Sequence, residues 1–332
     1  MTDLFTKAQP SAAGKAMSAG GYRHDKFERL VEKAQRHPPP VTAVAHPCDE
    51  VSLHGAVEAA RLRLIVPILV GPIERIREIA AREELDISGL ELVDAAHSHD
   101  SAAKAVALVS QARAQALMKG SLHTDELMGA AVAREAGLRT ARRISHAFLM
   151  DVPGHPEALM VTDAAINIAP SLEDKIDIVQ NAIDLAHALE VDAVRVAILS
   201  AMETVNPKVP STIEAAALCK MADRGQITGA VLDGPLALDN AINAEAAATK
   251  KIDSPVAGHA NVLVVPDLEA GNMLAKCMSF LAGADAAGIV LGARVPIVLT
   301  SRADALLTRL ASCAVASLLA QARLAGAAAA IH

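Results

Sequence analysis

The chain has 332 residues, of which 52% are hydrophobic and 21% charged, so it is long enough for two domains and can bury a large core. Its formal net charge of −7, with no Trp and one Tyr, argues against a nucleic-acid-binding surface. No charge-free apolar stretch reaches the ~18 residues that a membrane helix needs, and the N-terminus lacks a signal-peptide core. The four cysteines are scattered, as is typical of reduced thiols. We expect a soluble cytoplasmic protein with neither nucleic-acid nor membrane partners.

Helix and strand patterns alternate along the first part of the chain. Residues 1–20 are small and polar without periodicity and are expected to form a loose leader. The apolar spacing over 22–37 predicts a helix that a proline run ends. The alternation that follows predicts parallel strands flanked by helices. Strands are predicted at 41–46, 65–70, around Leu92 and at 116–118, with helices at 50–62, after Gly71-Pro72, from about Asp100 and at 123–136.

The second part of the chain opens with a predicted hairpin. Two apolar segments flank the Pro-Gly-His-Pro sequence at 153–156, which predicts antiparallel strands at the entry to a second domain. Further on, Ser171 with Asp174 and Ser211 with Glu214 predict helices that begin with capping boxes. Those helices are expected at 171–189 and 211–224, strands at 194–200 and 229–232, and another helix from about Leu236.

The stretch 261–304 is predicted to form a strand, a helix and two further strands before the last helix, and two of these strands are directly followed by polar residues. In open α/β sheets, ligands bind just beyond the carboxyl ends of the strands. We therefore expect chemistry at both strand ends, one before a helix inside the stretch and one before the last helix, from about Ala303. The strands are expected at 262–265 and 297–300; a loop with Asp267, Gly271 and Asn272 follows the first, and Ser301, Arg302 and Asp304 follow the second.

The polar residues after the second strand suit an anion. The Ser301 hydroxyl and free backbone N–H groups at a helix N-terminus attract negative charge, and the planar donor fork of Arg302 fits phosphate oxygens. The alternative is that Ser301 or Asp304 caps the last helix and that Arg302 is solvated or ion-paired. The spacing alone leaves both interpretations open.

A second candidate loop follows the predicted strand at 116–118. Lys119 and Gly120 leave that strand, and Thr124 begins the next helix, so backbone N–H groups and the lysine charge together could hold phosphate oxygens. The alternative is an ordinary helix N-terminus with an exposed lysine. Ser200, at the end of the strand 194–200, is a further candidate in a polar loop.

Several separated motifs resemble the phosphate acetyltransferase/phosphate butyryltransferase family. The resemblance implies two α/β domains of the isocitrate/isopropylmalate-dehydrogenase-like kind, with parallel sheets, an active-site cleft between the domains and a homodimer. The first domain is then expected to comprise 21–143 with 295–332, and the second 144–294. The motifs are PDLEAGNMLAK at 266–276, GARVPIVLTSRAD at 292–304, LVGP at 69–72, LMKG at 117–120 and GPLALDNAI at 234–242.

The resemblance also implies an activity, the transfer of an acetyl or butyryl group between acyl phosphate and coenzyme A. The coenzyme A thiolate attacks the carbonyl directly, phosphate leaves, and no tightly bound cofactor is needed. In this chain Arg302, Ser301 and Lys119 would bind phosphoryl oxygens, and Asp304 would be the general base. Gly120 and Thr124 would complete the phosphate-binding loop. The remaining cleft candidates are Asp267, Asn272 and Ser200.

Two departures from the family pattern leave residue roles and acyl chain length open. The acid that the acetyltransferase branch carries several positions after the Ser-Arg pair is missing, which leaves Asp304 as the only acid there. Met128 stands near the place of an expected phosphate-binding arginine. Two alternatives remain: a non-catalytic acyl-CoA-binding subunit, and a metal- and NAD-dependent hydroxy-acid dehydrogenase of the same fold. The missing GxGxxG and metal-ligand motifs count against the dehydrogenase.

Other histidines and cysteines have simpler explanations than a special site. His97 with His99, and His46 with Cys48, each offer two possible metal ligands, but surface or capping histidines are the simpler interpretation. Cys277 and Cys313 lie on apolar helix stripes and are expected to be buried and unreactive. No metal site is predicted.

Overall fold

A computed structural model describes residues 25–300 and 304–329 of the protein. Within these ranges, eleven strands form one continuous sheet, in the order β3-β2-β1-β4-β11-β10-β5-β6-β9-β7-β8. The strands are β1 Val41–Ala45, β2 Val66–Gly71, β3 Glu91–Asp94, β4 Ala116–Lys119, β5 Ser145–Asp151, β6 Leu159–Thr162, β7 Arg195–Leu199, β8 Val231–Leu236, β9 Val262–Val264, β10 Asp285–Leu291 and β11 Ile297–Val298.

The sheet has two parallel halves that run in opposite directions. β1, β2, β3, β4 and β11 are parallel to their neighbours in one half, and β6, β7, β8 and β9 are parallel in the other. Three antiparallel pairs, β11–β10, β10–β5 and β5–β6, lie between the halves. The predicted α/β fold with a parallel-dominated sheet is confirmed.

Helices cover both faces of the sheet. On one face a single apolar core runs across both halves, and α11 packs there against β10, α1 and α2. On the other face there are two separate cores, one for each half. The helices are α1 Asp25–Ala34, α2 Glu50–Arg61, α3 Ile73–Arg82, α4 Ser98–Ser110, α5 Thr124–Val132, α6 Leu172–Ala188, α7 Pro210–Asp223, α8 Leu238–Ile242, α9 Ala244–Thr249, α10 Leu268–Leu281 and α11 Leu306–Ala329.

Two local predictions in the second half are confirmed. β5 and β6 pair antiparallel across the segment 152–158, as the hairpin pattern predicted. Ser171 caps α6 in a capping box with Asp174, because each side chain accepts a hydrogen bond from the other residue's backbone N–H. Short-range sequence signals therefore located both elements.

The predicted capping box at Ser211 is wrong. α7 begins one residue earlier, at Pro210, whose fixed φ suits the first helical position. Ser211 is consequently inside the helix, and its hydroxyl lies 2.8 Å from the Ser200 hydroxyl. Glu214 pairs instead with the buried Lys175 of α6. Pro210, and not Ser211, therefore marks the start of α7.

The helix after β9 also begins earlier than predicted. Asp267 is its N-cap, and its carboxylate accepts a hydrogen bond from the Ala270 N–H at 2.8 Å. Gly271 is thus inside α10 and not in the preceding loop. A Cβ there would come within 2.7 Å of Val265 Cγ2, so the glycine allows α10 to pack closely on the strand end.

One of the two cysteine predictions is wrong. Cys313 is buried in α11, as expected, but Cys277 of α10 is exposed. The apolar stripe that contains Cys277 faces away from the described part of the chain, since Met273, Phe280 and Leu281 are also exposed. An apolar stripe predicts burial against some surface, which need not belong to the same chain.

Candidate active site

The two halves of the sheet end at opposite edges. We call the edge where β1 to β4 and β11 end the β4 edge, and the edge where β6 to β10 end the β9 edge. The three antiparallel pairs between the halves reverse the strand direction, so the two edges lie at opposite ends of the strands. Asp267 and Asn272, which follow β9, therefore do not share an edge with the residues that follow β11.

Lys119 is the last residue of β4, and its ammonium group is turned into the loop that follows. The residue is only 5% exposed, and Nζ donates to the carbonyl oxygens of Gly120 at 3.3 Å and Leu122 at 3.2 Å. The alternative of an exposed lysine is therefore wrong. A buried positive charge held by loop carbonyls is expensive to desolvate, so the β4 edge retains an electropositive group at a cost in folding free energy.

Gly120 allows the loop after β4 to cross the end of β1. Its N–H donates to the Ala45 carbonyl at 2.8 Å. A Cβ at this position would overlap the Ala45 carbonyl and come within 2.5 Å of the His46 carbonyl oxygen, so no other residue fits without moving backbone. Ser121 continues the contact, since its N–H and its hydroxyl both donate to the His46 carbonyl at 2.9 Å.

His46, directly after β1, is a polar residue of this edge that the sequence analysis considered only as a possible metal ligand or a surface or capping histidine. Its backbone is left-handed, with φ of 56°, and its Nδ1 lies 3.0 Å from the Ser101 hydroxyl. Burial lowers the pKa of its imidazole and Arg75 lowers it further, while Glu126 opposes both. The ring is therefore neutral at pH 7. The rule that selected Lys119, a polar residue directly after a buried strand, applies equally to His46.

Thr124 begins α5 at the same edge, as predicted. Its side chain is exposed, and His123 precedes it as an N-cap that makes no side-chain hydrogen bond. The first N–H groups of a helix have no partner within that helix, so they can bind an anion together with the helix dipole. The same first turn carries two acids, Asp125 and Glu126, and Glu126 has one carboxylate oxygen that is buried and lacks a hydrogen-bond partner among the described residues.

β11 brings the start of the last helix to the β4 edge. Thr300 is buried, Asp304 is half-buried, and the predicted residues Ser301 and Arg302 lie outside the described residues. Arg309, from the first turn of α11, is 2% exposed and donates from Nη1 to the Thr300 hydroxyl at 3.1 Å. Sequence reasoning missed Arg309, although a charged residue on an otherwise apolar helix face was a usable signal.

The candidates at the β9 edge bond to nearby groups of that half. Asp267 caps α10, Asn272 donates to the Ala164 carbonyl at 3.2 Å, and the Ser200 hydroxyl meets the Ser211 hydroxyl. Asp163, also buried there, accepts from the backbone N–H groups of 165, 166 and 167. These contacts stabilise this half of the sheet, and three of them involve the side chains that the sequence analysis considered for ligands, Asp267, Asn272 and Ser200.

His97 serves as a helix cap. Its Nδ1 accepts a hydrogen bond from the Asp100 N–H at 3.2 Å at the start of α4, as the simpler interpretation held. Nearby, His99 Nε2 lies 3.9 Å from Glu126. In the described part of the chain, no three His, Cys, Asp or Glu side chains come together as metal ligands would.

Comparison with known proteins identifies the family. The family model described as "Phosphate acetyl/butaryl transferase" matches residues 96–317. The chain is 66% identical over 306 residues to a phosphate acetyltransferase of Rhizobium meliloti, covering 92% of this chain and 97% of that one. The chain belongs to the phosphate acetyl/butyryl transferase family of acyltransferases. The resemblance seen in its sequence motifs is thereby confirmed.

Other members of the family carry a different acyl-group name. A phosphate butyryltransferase of Clostridium beijerinckii is 40% identical over 294 residues, covering 89% of this chain and 97% of that protein. Among solved structures, a branched-chain phosphotransacylase from Enterococcus faecalis V583 matches with a TM-score of 0.74 and 31% identity, over 84% of this chain and 99% of that one. The fold is therefore shared between relatives with different acyl groups in their names.

A membrane-spanning helix is not found in the described ranges 25–300 and 304–329. No helix there is both long enough and apolar enough to cross a bilayer. The long α11 packs in the core that runs across both halves of the sheet, which accounts for its apolar sequence.

Proposed function

We propose that the protein is a phosphate acetyltransferase, which transfers an acetyl group reversibly between acetyl phosphate and coenzyme A. The observation that carries this proposal is the 66% identity to the Rhizobium meliloti protein of that name over almost the full length of both chains. Coenzyme A is a substrate in this reaction and not a bound cofactor. Butyryl phosphate is the alternative donor, because relatives at about 40% identity are named for it.

The acyl phosphate binds at the β4 edge. The N-terminus of α5 at Thr124 offers backbone N–H groups, and Lys119 adds a positive charge that the loop carbonyls hold in place. Gly120 brings this loop against the end of β1. Arg302 and Ser301, which follow β11 in sequence, complete the set of donors for the phosphoryl oxygens.

The reaction is a direct displacement at the acyl carbon. The thiol of coenzyme A gives its proton to a carboxylate, for which Asp304 is the candidate. The thiolate sulfur then forms a bond to the carbonyl carbon, the bond from that carbon to the phosphate oxygen breaks, and phosphate leaves with the electron pair. Positive groups at the β4 edge offset the charge that develops on the departing phosphate, and side-by-side binding of both substrates supplies proximity.

The chain folds into two domains, 21–143 with 295–332 and 144–294, with the active-site cleft between them. The strand order supports this division, because β1 to β4 and β11 occupy one half of the sheet and β5 to β10 the other. The antiparallel β10–β11 pair joins the two domains. α11 packs against both strands of that pair, so a substitution in its first turn would alter the geometry of the cleft.

Two copies of the chain associate through α10. Met273, Phe280 and Leu281 are 64%, 81% and 83% exposed, and with the exposed Cys277 they repeat at intervals of three to four residues along one helix face. Such a stripe suits a symmetric contact in which the same face meets its copy. The protein is cytoplasmic, in keeping with four cysteines that form no disulfide.

The proposal is tested by coenzyme A-dependent release of phosphate from acetyl phosphate and from butyryl phosphate, with wild type beside Arg302→Ala. Turnover with acetyl phosphate that falls about 100-fold in the variant would support both the reaction and the role of Arg302. Greater turnover with butyryl phosphate would show that butyryl phosphate, and not acetyl phosphate, is the preferred donor. Coenzyme A binding without turnover of either donor would overturn the transferase and leave an acyl-CoA-binding subunit.

A further inference from the structure

Arg309 links three segments of the β4 edge. Its Nη1 donates to the Thr300 hydroxyl at the end of β11. Burial lowers the pKa of its guanidinium, and two carboxylates oppose that effect, Asp304 before α11 and Asp49 at the start of α2. The residue thus lies among the end of β11, the start of α11 and the loop between β1 and α2.

A guanidinium at this depth needs a specific reason. Arg309 is 2% exposed, and burying a charge costs several kcal/mol unless good partners surround it. Its neighbour one turn later on α11, Cys313, belongs to the apolar core, so an apolar residue could fill the position for packing alone. What an apolar residue cannot supply is a donor to Thr300 and a positive charge for two carboxylates on different segments.

Gly55 shows that the neighbouring helix accommodates this side chain. A Cβ added at Gly55 of α2 would lie 3.0 Å from Arg309 Cδ, closer than almost all real contacts of that kind. The glycine has no positive φ that would require it for backbone reasons. Its small size instead leaves room for the Arg309 stem to pass α2 and reach Thr300.

We propose that Arg309 is a positioning residue for the acyl transfer proposed above, on which this inference rests. It holds Thr300, the residue that precedes Ser301 and Arg302, in place relative to α2 and the first turn of α11. Arg309 is too buried to take up substrate itself. It determines instead how accurately the residues on either side of 301–303 are held when phosphate leaves.

The same helix offers a matched control. Arg323, near the other end of α11, is also partly buried, and burial lowers the pKa of its guanidinium as well. Its Nη1 donates at 2.9 Å to the carbonyl of Ala293, which follows β10 and lies at the β9 edge. Substitution of Arg323 thus removes a partly buried cation from α11 without touching the β4 edge.

The experiment compares Arg309→Gln and Arg309→Lys with Arg323→Gln and Arg323→Lys in the full-length chain. Measured are kcat, the KM for acetyl phosphate and for coenzyme A, and the melting temperature. We expect Arg309→Gln to lower kcat about 100-fold, as misplacement by about 1 Å can do, with KM for coenzyme A unchanged within threefold. Arg309→Lys should recover part of kcat. The Arg323 variants should keep kcat even where they lower the melting temperature.

If Arg309→Gln does not fold, a second variant tests the positioning role of Arg309. Gly55→Ala displaces the Arg309 stem and removes no polar group, so we expect about a 10-fold loss of kcat with the melting temperature retained. Its control is Gly326→Ala in α11, where a Cβ meets nothing within 4 Å and kcat should not change.

The outcomes separate the two proposals. No phosphate release by wild type would overturn the proposed function and the role of Arg309 together. The positioning role alone would be overturned if wild type turns over while the Arg309 variants, like the Arg323 variants, lose only stability. It would also be overturned if Gly55→Ala keeps full kcat.

Discussion

The two edges of the sheet use polar residues in different ways. At the β4 edge, Lys119 and Arg309 are buried cations; Lys119 donates to carbonyl oxygens of the loop that follows it, and Arg309 donates to the Thr300 hydroxyl. At the β9 edge, Asp267 caps the start of α10, and Asn272 donates to the Ala164 carbonyl, which follows β6. Lys119 and Asp267 both lie at strand ends, yet only Lys119 keeps a positive charge there. The charge of the side chain, and not its position at a strand end, separates the candidate site from the helix cap.

The largest expected effect is on stability, and it compares one glycine at each edge that lies close to neighbouring atoms. Gly120→Ala would place a Cβ within 2.6 Å of backbone atoms of Ala45 and His46, whereas a Cβ at Gly271 would lie 2.7 Å from the Val265 side chain and 3.0 Å from the Asp163 carbonyl oxygen. We expect Gly120→Ala to lower the free energy of unfolding by about 3 kcal/mol. For Gly271→Ala the loss should be smaller, about 1 to 2 kcal/mol, because its shortest contact is to a side chain and because alanine favours the helix by up to about 1 kcal/mol.

Urea denaturation of the two variants beside wild type measures this difference. The matched pair controls for the general effect of replacing a glycine by alanine. Equal losses, or a larger loss for Gly271→Ala, would show that the loop crossing β1 is not the constrained element.

The second prediction compares two histidines. Complete burial lowers the pKa of His146, on β5, to about 4, and the Asp163 carboxylate opposes this shift. Because the folded pKa lies below the unfolded value near 6.5, the unfolded chain binds the proton first as pH falls. Stability is therefore full above pH 6.5 and declines toward pH 4, by roughly 3 kcal/mol.

Chemical denaturation of wild type, His146→Gln and His46→Gln between pH 7 and pH 4 checks this. The His146 variant should lose most of the pH dependence that this residue causes. His46 is only half-buried and its pKa is lowered in the same direction, so its variant should flatten the profile less. A wild-type stability that is constant over this range would contradict the account.

The smallest expected effect concerns the helix cap at the β9 edge. Asp267→Ala removes the acceptor for the Ala270 N–H and should lower the free energy of unfolding by about 1 kcal/mol. Its kcat for acyl transfer should stay within twofold of wild type. Steady-state kinetics checks this, and a loss of 10-fold or more would return Asp267 to the active site.

Local patterns placed most elements of the fold. The predicted strand at 41–46 and helix at 50–62 differ by one residue from β1 and α2, since apolar spacing and caps act over short distances. The direction of β9 relative to β11 was not predictable, because two halves of opposite direction share one sheet only through pairings that are distant in sequence. Because this direction was unknown, the sequence analysis grouped Asp267 and Asn272 with the residues after β11.

Part of the site was also open to sequence reasoning. Lys119 and Gly120 were selected by their position after a strand, and the family comparison was anticipated from the motifs around them. Arg309 was not selected, because its partners Thr300, Asp304 and Asp49 meet only in the folded chain. The roles of Ser301 and Arg302 stay predictions.

Acyl-phosphate binding at the β4 edge is tested most directly by comparing Lys119→Met with Asn272→Leu. Each change replaces a polar side chain by an apolar one of similar size, one at each edge. If acyl phosphate binds at the β4 edge, kcat/KM for acetyl phosphate should fall about 100-fold in Lys119→Met and stay within twofold of wild type in Asn272→Leu. The reverse pattern, with activity lost on substitution of Asn272 and kept on substitution of Lys119, would contradict it.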